Sequence, residues 1–386
     1  MIAHAFHPER VVGALRPFRF SKSLPACGYS VTVLTASAQP EAPESVRHIP
    51  QRRTFAEKVL RKFLVPGEEA LPWIGPAFRA AAQLHAATPF SAVFSTFPPT
   101  AVHAVALRLN RRFGIPWIAD FRDPMRGSSV RLHHAFPHVD RIFEPQIFRR
   151  AAAVIANTDA VGEAWKRRYP EFAHKVTAIW NGFDPCETVG PAPIPPRPYR
   201  VLGHFGEIAA FRHPGALLAS LERLIGAGRL DPAGLRIHLA GDVEAPGDPQ
   251  TYAALAARGV IETSPLPPFA EAAARMAETD YLLVVDFTTG APGLQVPSKL
   301  YTYIRIGRPV LAITSPNSPV ERILRRSEIP HACIYPGSPA EEIDRRVLEF
   351  LRLPSDPVRA SDWFWENFDC TAQTKLLASI LDRVAP

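Results

Sequence analysis

Between Val189 and Pro198 the chain reads Val-Gly-Pro-Ala-Pro-Ile-Pro-Pro-Arg-Pro, five prolines in ten residues. Each proline fixes φ and removes a backbone donor, so this stretch can be neither helix nor central strand. It reads as a linker that divides the 386 residues into two parts, each long enough to bury a core of its own. On both sides of it, short apolar runs alternate with segments of helical periodicity. Before it, strands are expected over residues 1–6, Tyr29–Thr35, Ala92–Thr96, Trp117–Asp120, Ala152–Asn157 and Val176–Trp180. Helices are expected over about 17–26, with Pro17 in the first turn, and over about 100–112. After the linker come strands at Arg200–Phe205, Leu235–Gly241, Tyr281–Val285 and Val310–Ile313, a helix over 213–226, and a last helix from about Ala372 to Val384. Strands that alternate with helices form parallel sheets covered on both faces. The expectation is an α/β protein of two doubly wound, Rossmann-like domains, whose ligands sit beyond the carboxyl ends of the strands.

Composition narrows the classes. With 47% hydrophobic and 21% charged residues the chain reads as globular, and no run approaches the ~20 apolar residues of a spanning helix. The first residues, Met1-Ile2-Ala3-His4-Ala5-Phe6, read as a strand rather than a secretory signal. Cys27, Cys186, Cys333 and Cys370 have neither metal-ligand nor disulfide spacing, which suits a reducing cytoplasm. The net charge of +7 raises two electrostatic partners, nucleic acid and an anionic membrane. No nucleic-acid-binding motif is present, so no nucleic-acid partner is expected. Residues 51–65 place Phe55, Val59, Leu60, Phe63 and Leu64 at helical spacing, with Arg52, Arg53, Lys58, Arg61 and Lys62 largely elsewhere. That pattern fits a helix lying on acidic lipid, and equally an amphipathic helix packed on a core.

Three stretches carry chemistry on their own. In Val296-Pro297-Ser298-Lys299-Leu300, Pro297 and Ser298 suit a helix start, and Gly307 with Pro309 ends the helix before the strand Val310–Ile313. A helix N-terminus favours phosphate, and Lys299 adds a full charge there. Asp120-Phe121-Arg122-Asp123-Pro124 sets three charges at the end of a buried strand, where they must pair or work. Gly13 lets backbone approach a ligand and Arg16 can meet an anion. No Asp-x-Asp triplet and no cluster with metal-ligand spacing is present, so no metal and no cofactor are expected.

These motifs resemble those of GT-B glycosyltransferases of the family 4 type. The family's donor signature reads roughly Val-Pro-Gly/Ser-Lys-Leu-x-Glu-Tyr-x-x-x-Gly-x-Pro; Lys299, Tyr303, Gly307 and Pro309 match it, and Thr302 stands at the glutamate that bonds the donor ribose. Asp120–Pro124 matches an Asp-Phe-Arg-Asp-Pro-Trp motif of one subgroup, with Met125 for the tryptophan. Asn181-Gly182-Phe183-Asp184 resembles the family's turn before the interdomain linker, and Phe205-Gly206-Glu207 with Arg212 resembles its phosphate loop. The resemblance implies a GT-B pair of domains facing across a cleft: an acceptor domain over 1–188, a linker over 189–198 and a donor domain over 199–361. The C-terminal helix, about 362–386, crosses back to the first domain.

The activity so implied is transfer of a sugar from a nucleotide-sugar donor to a polysaccharide, lipid-linked or other cell-envelope acceptor. It would be retaining and metal-independent, in the cytoplasm or peripheral on the inner face of the membrane. By the same resemblance Gly206, Arg212, Ser298, Lys299 and Thr302 bind the donor, and Gly13, Arg16 and Asn181 line the acceptor side. Asp120, Arg122 and Asp123 either act at the acceptor hydroxyl and sugar or form a structural arginine–aspartate lock. A catalytically impaired nucleotide-sugar-binding protein and a nucleotide-sugar epimerase share this fold and stay as alternatives.

Overall fold

The structure is a computed structural model that describes residues 1–9, 12–38, 43–51, 68–126, 137–209, 212–244, 246–286 and 294–385. The amphipathic stretch 51–65 lies outside these residues apart from Gln51. The chain forms two units, Met1–Asp184 with Phe368–Pro386, and Pro185–Asn367.

In the first unit, β1 (Val33–Thr35) pairs with β2 (Val46–His48), and β3 (Val93–Phe97), β4 (Trp117–Phe121), β5 (Ala153–Ala156) and β6 (Val176–Ala178) pair in that order, all parallel. Ile2 bridges Leu34 of β1 and Ser95 of β3, so the first apolar run enters the sheet as a single bridged residue between the two sets. Strands β3, β4 and β5 are buried along their whole length, as parallel strands covered on both faces must be. Phe20, Phe94, Ile118, Ile155 and Ile179 pack with Leu377, Ile380 and Leu381 of the helix Cys370–Val384. The last residues of the chain therefore complete the core of the unit that contains the first.

Two expectations need correction here. The helix set at about 17–26 runs from Val12 to Ser23, with Pro17 inside it rather than in its first turn. A proline there cannot donate to the carbonyl four residues back, that of Gly13, and a side chain from another element takes that acceptor (below). The strand Tyr29–Thr35 shortens to Val33–Thr35.

The second unit is one parallel sheet ordered β12-β11-β10-β7-β8-β9. Its strands are β7 (Arg200–Phe205), β8 (Leu235–Ala240), β9 (Ile261–Ser264), β10 (Tyr281–Val285), β11 (Val310–Ile313) and β12 (His331–Ile334). Numbered within the unit this is the order 3-2-1-4-5-6 of a Rossmann domain, which reverses direction between β7 and β10. Leu202, Ile237, Leu239, Leu283 and Leu311 fill its core. The proline-rich segment belongs to this unit and is tied to it by arginines. Arg305 donates to the carbonyl and carboxylate of Glu187 at 2.7 and 3.3 Å, and Arg308 to the carbonyl of Ala192 at 2.5 Å.

Candidate functional site

In the second domain the expected donor residues meet where the strand order reverses. Strands β7 and β8 end in Gly206 and Gly241, both with φ of +133°, a backbone region open to glycine. A Cβ at Gly241 would lie 2.6 Å from the carbonyl oxygen of Gly206, and one at Gly206 would lie 2.5 Å from Nζ of Lys299. Two bare backbones and an ammonium thus share one small space at the carboxyl edge of the sheet. Lys299 opens the helix Lys299–Ile306, directly after the half-buried Ser298, and Gly307 ends it with φ of +79°. The hydroxyl of Tyr303, one turn on, accepts a hydrogen bond from the amide of Phe205 at 3.1 Å and holds the helix to β7. Thr302 is buried in the same helix.

The ammonium of Lys299 donates to Nε2 of His204 at 3.0 Å, and Nδ1 of His204 lies 3.0 Å from the carbonyl oxygen of Leu283. A carbonyl only accepts, so Nδ1 carries the proton and Nε2 is the acceptor. Burial, with the charge of Lys299 next, holds His204 neutral, well below its ordinary pKa. Burial and the nearby charge of Arg212 lower Lys299 to about 7, against the pull of Glu207. Arg212 is half-buried, and its backbone pairs with Ala209 through bonds of 2.8 and 3.1 Å that close the loop after β7. A lysine with so low a pKa gains its charge most readily beside an anion.

In the first domain Arg16 and Asp120 form a buried ion pair, with side chains 6% and 0% exposed. Arg16 donates to the Asp120 carboxylate from Nη2 at 2.7 Å and from Nε at 3.1 and 3.2 Å, and Thr96 donates to it at 2.7 Å. The same guanidinium reaches the carbonyls of Ile179 and Trp180 at 2.9 and 2.8 Å and Oδ1 of Asn181 at 3.3 Å. Asp120 is therefore enclosed, held by Arg16 and Thr96. Arg122 turns the other way, donating to the carbonyls of Gly13, Pro98 and Phe97. The Gly13 carbonyl is the acceptor that Pro17 leaves without its helical partner. A Cβ at Gly13 would collide with the Arg122 guanidinium, so glycine serves packing there. Of the three charges expected to act at the acceptor, Asp123 is half-buried at the end of the motif. Met125, at the subgroup's tryptophan position, is buried. The Arg126 amide beside it donates to Glu144 at 2.9 Å.

Gly13→Ala is expected to destabilise the first domain by about 1–3 kcal/mol, the usual cost of forcing atoms into a packed site. Denaturant melts would read this, and the same substitution should cost less in an Arg122→Ala background. An equal cost in both backgrounds would mean that the clash is not with Arg122.

The sequence reading named Gly13, Arg16, Asp120, Arg122 and Asn181, which the structure joins, and Lys299 and Gly206, which touch. It missed His204, Gly241 and Thr96. A glycine closing an apolar run, as at Gly241, was the one signal available; a histidine inside a strand carries none.

Residues 18–187, a little under half of the chain, match the family model described as Glycosyltransferase Family 4. No curated protein matches the sequence. Among solved structures, a glycosyltransferase from Rickettsia africae is 11% identical over 99% of this chain and 98% of its own, with a TM-score of 0.67. Sucrose-phosphate synthase from Thermosynechococcus elongatus is 14% identical, covering 99% and 92%, with a TM-score of 0.64. UDP-GlcNAc 2-epimerase from Methanocaldococcus jannaschii is 9% identical, covering 99% and 99%, with a TM-score of 0.55. At these identities the structural likeness speaks for the fold.

Proposed function

From a GT-B fold of the family 4 glycosyltransferase type, we propose that this protein transfers a sugar from a nucleotide-sugar donor to a glycan or lipid-linked acceptor of the cell envelope. The observation that carries the reading is Lys299, set at a helix N-terminus against Gly206 at the strand-order reversal of a Rossmann domain. As the glycosidic bond to the donor breaks, charge grows on the leaving diphosphate. Lys299, Arg212 and the helix N-terminus would stabilise that charge, with no divalent cation required. On this reading the sugar keeps its anomeric configuration, and Ser298 and Thr302 contact the donor beside Lys299. In the first domain, Arg16 and Asn181 form a rigid floor and Asp123 meets the acceptor. Asp123→Asn should then lower turnover by tenfold or more at nearly unchanged stability. Normal turnover would relegate Asp123 to the loop's structure.

The deciding experiment is a calorimetric screen of UDP-, GDP-, ADP- and dTDP-linked sugars. A micromolar ligand would name the base and show that Thr302 suffices at the ribose. Binding without transfer would favour the impaired-binder reading, which the buried threonine at the glutamate position supports. Donor turnover without acceptor would favour an epimerase. Attachment to the inner face of the membrane through 51–65 belongs to the same proposal. Neutralising Arg52, Arg53, Lys58, Arg61 and Lys62 should release the protein from anionic vesicles, and a wild type that never binds them ends that part.

A further inference from the structure

Lys299 is held in place by a protein group of its own. Its ammonium is gripped by an imidazole that is itself fixed. His204 sits in β7 at 0% exposure, its Nδ1–H directed to the carbonyl of Leu283 in the neighbouring strand β10. That bond leaves Nε2 as an acceptor aimed at Lys299 Nζ, 3.0 Å away. Gly206 leaves the space for the ammonium, and Gly241 leaves the space for Gly206. The relay runs from backbone through the buried His204 to the half-buried Lys299, so the position of the charge is set by the sheet.

Resting on the donor-site reading above, we propose that His204 is a positioning residue for phosphate. Its neutral, tautomer-locked imidazole accepts a hydrogen bond from Lys299 and fixes the ammonium at the carboxyl edge of the sheet, where the donor diphosphate binds. The consequence is proton-linked binding. The charged groups acting on Lys299 are Arg212, which opposes its charge, and Glu207, which favours it; His204 stays neutral. Burial and Arg212 lower Lys299 to about 7, so above that pH it is mostly uncharged. A diphosphate demands the charged form, so binding takes up a proton, and affinity falls as pH rises through 7. With a value near 7, affinity should be about tenfold weaker at pH 8 than at pH 6.

The chain has seven lysines, few enough to follow individually by NMR of 13Cε-labelled lysine. In the ligand-free protein one resonance, absent from Lys299→Arg, should titrate near 7. His204→Leu removes the acceptor and should move that titration about one unit lower, and His204→Gln, which restores an acceptor oxygen, should bring it back. Melting curves would establish that each variant is folded. A merely structural histidine would leave the titration unmoved, and a value near 10.5 in the wild type, or no response to His204→Leu, overturns the proposal. The second arm is calorimetry at pH 6 and pH 8, in buffers of different ionisation enthalpy, with whichever UDP-, GDP-, ADP- or dTDP-linked sugar binds in the screen. Their diphosphate diesters do not titrate in this range, so proton uptake at pH 8 reports the protein. Uptake in the wild type and its loss in Lys299→Arg support the proposal. Tight binding with no uptake overturns the role of His204 alone. Failure of every nucleotide sugar to bind overturns the donor site itself, and with it the aim at phosphate.

Discussion

Replacing Arg16 with methionine should destabilise the first domain by about 3–5 kcal/mol, the expected cost of leaving a buried charge without its partner. Asp120 is fully buried, and once Arg16 is gone only the Thr96 hydroxyl among its described partners still donates to it. The loss has a second component. The guanidinium also joins the carbonyls of Ile179 and Trp180, and it lies over the ring of Phe20 at 4.9 Å. Methionine retains much of the apolar stem, so the measured change reports the guanidinium, its charge and these contacts together, rather than lost packing of the stem. Urea unfolding would read it as a lower midpoint at similar slope. Arg16→Met with Asp120→Asn should recover at least half of the deficit, since an amide is far cheaper to bury than a carboxylate. A single-variant loss below about 1 kcal/mol would mean that water reaches Asp120 and that the pair is not the closed lock described above.

Lys299→Met should weaken nucleotide-sugar binding by tenfold or more while leaving the melting temperature nearly unchanged. One charged contact to phosphate contributes about 1.5–3 kcal/mol, and methionine keeps the apolar stem in place. Stability should hold because the change removes a half-buried charge, although it also deprives His204 of its donor. The two variants separate the halves of the protein: the change at Arg16 should be read in stability, and the change at Lys299 in affinity. Equal affinity in wild type and Lys299→Met would remove the phosphate role, and the transferase reading would then lose its main support.

Much of the architecture was legible because parallel strands buried on both faces are continuous apolar runs. Val93–Phe97, Trp117–Phe121, Tyr281–Val285 and Val310–Ile313 stand out from any neighbouring segment for that reason. The helix Lys299–Ile306 announced both of its ends, through Ser298 and through Gly307 in the left-handed region. The site was legible where chemistry forces charge into an apolar context, as at Asp120 and Arg122. Its internal logic was not. That Asp120 faces Arg16 depends on a contact across 104 residues, which no local pattern encodes. Proline is usually tolerated in the first turn of a helix, and sequence alone puts Pro17 there. The helix instead runs through it, with Arg122 taking the acceptor that proline leaves. His204 reads in sequence as one more residue of a strand, and its role follows only from the register that sets it beside Leu283 and Lys299.

The return of the last helix to the first domain bears on how the chain is made. Synthesis proceeds from the N-terminus, and domains generally fold as units as they emerge. Pro185–Asn367 is continuous, so the second unit can close as soon as its own residues are out. The first unit cannot: Leu377, Ile380 and Leu381 belong to its core and are added only after the second unit is complete. Until they arrive, Phe20, Phe94 and Ile155 lack part of their cover, so the first unit is completed only after the whole of the second has been made.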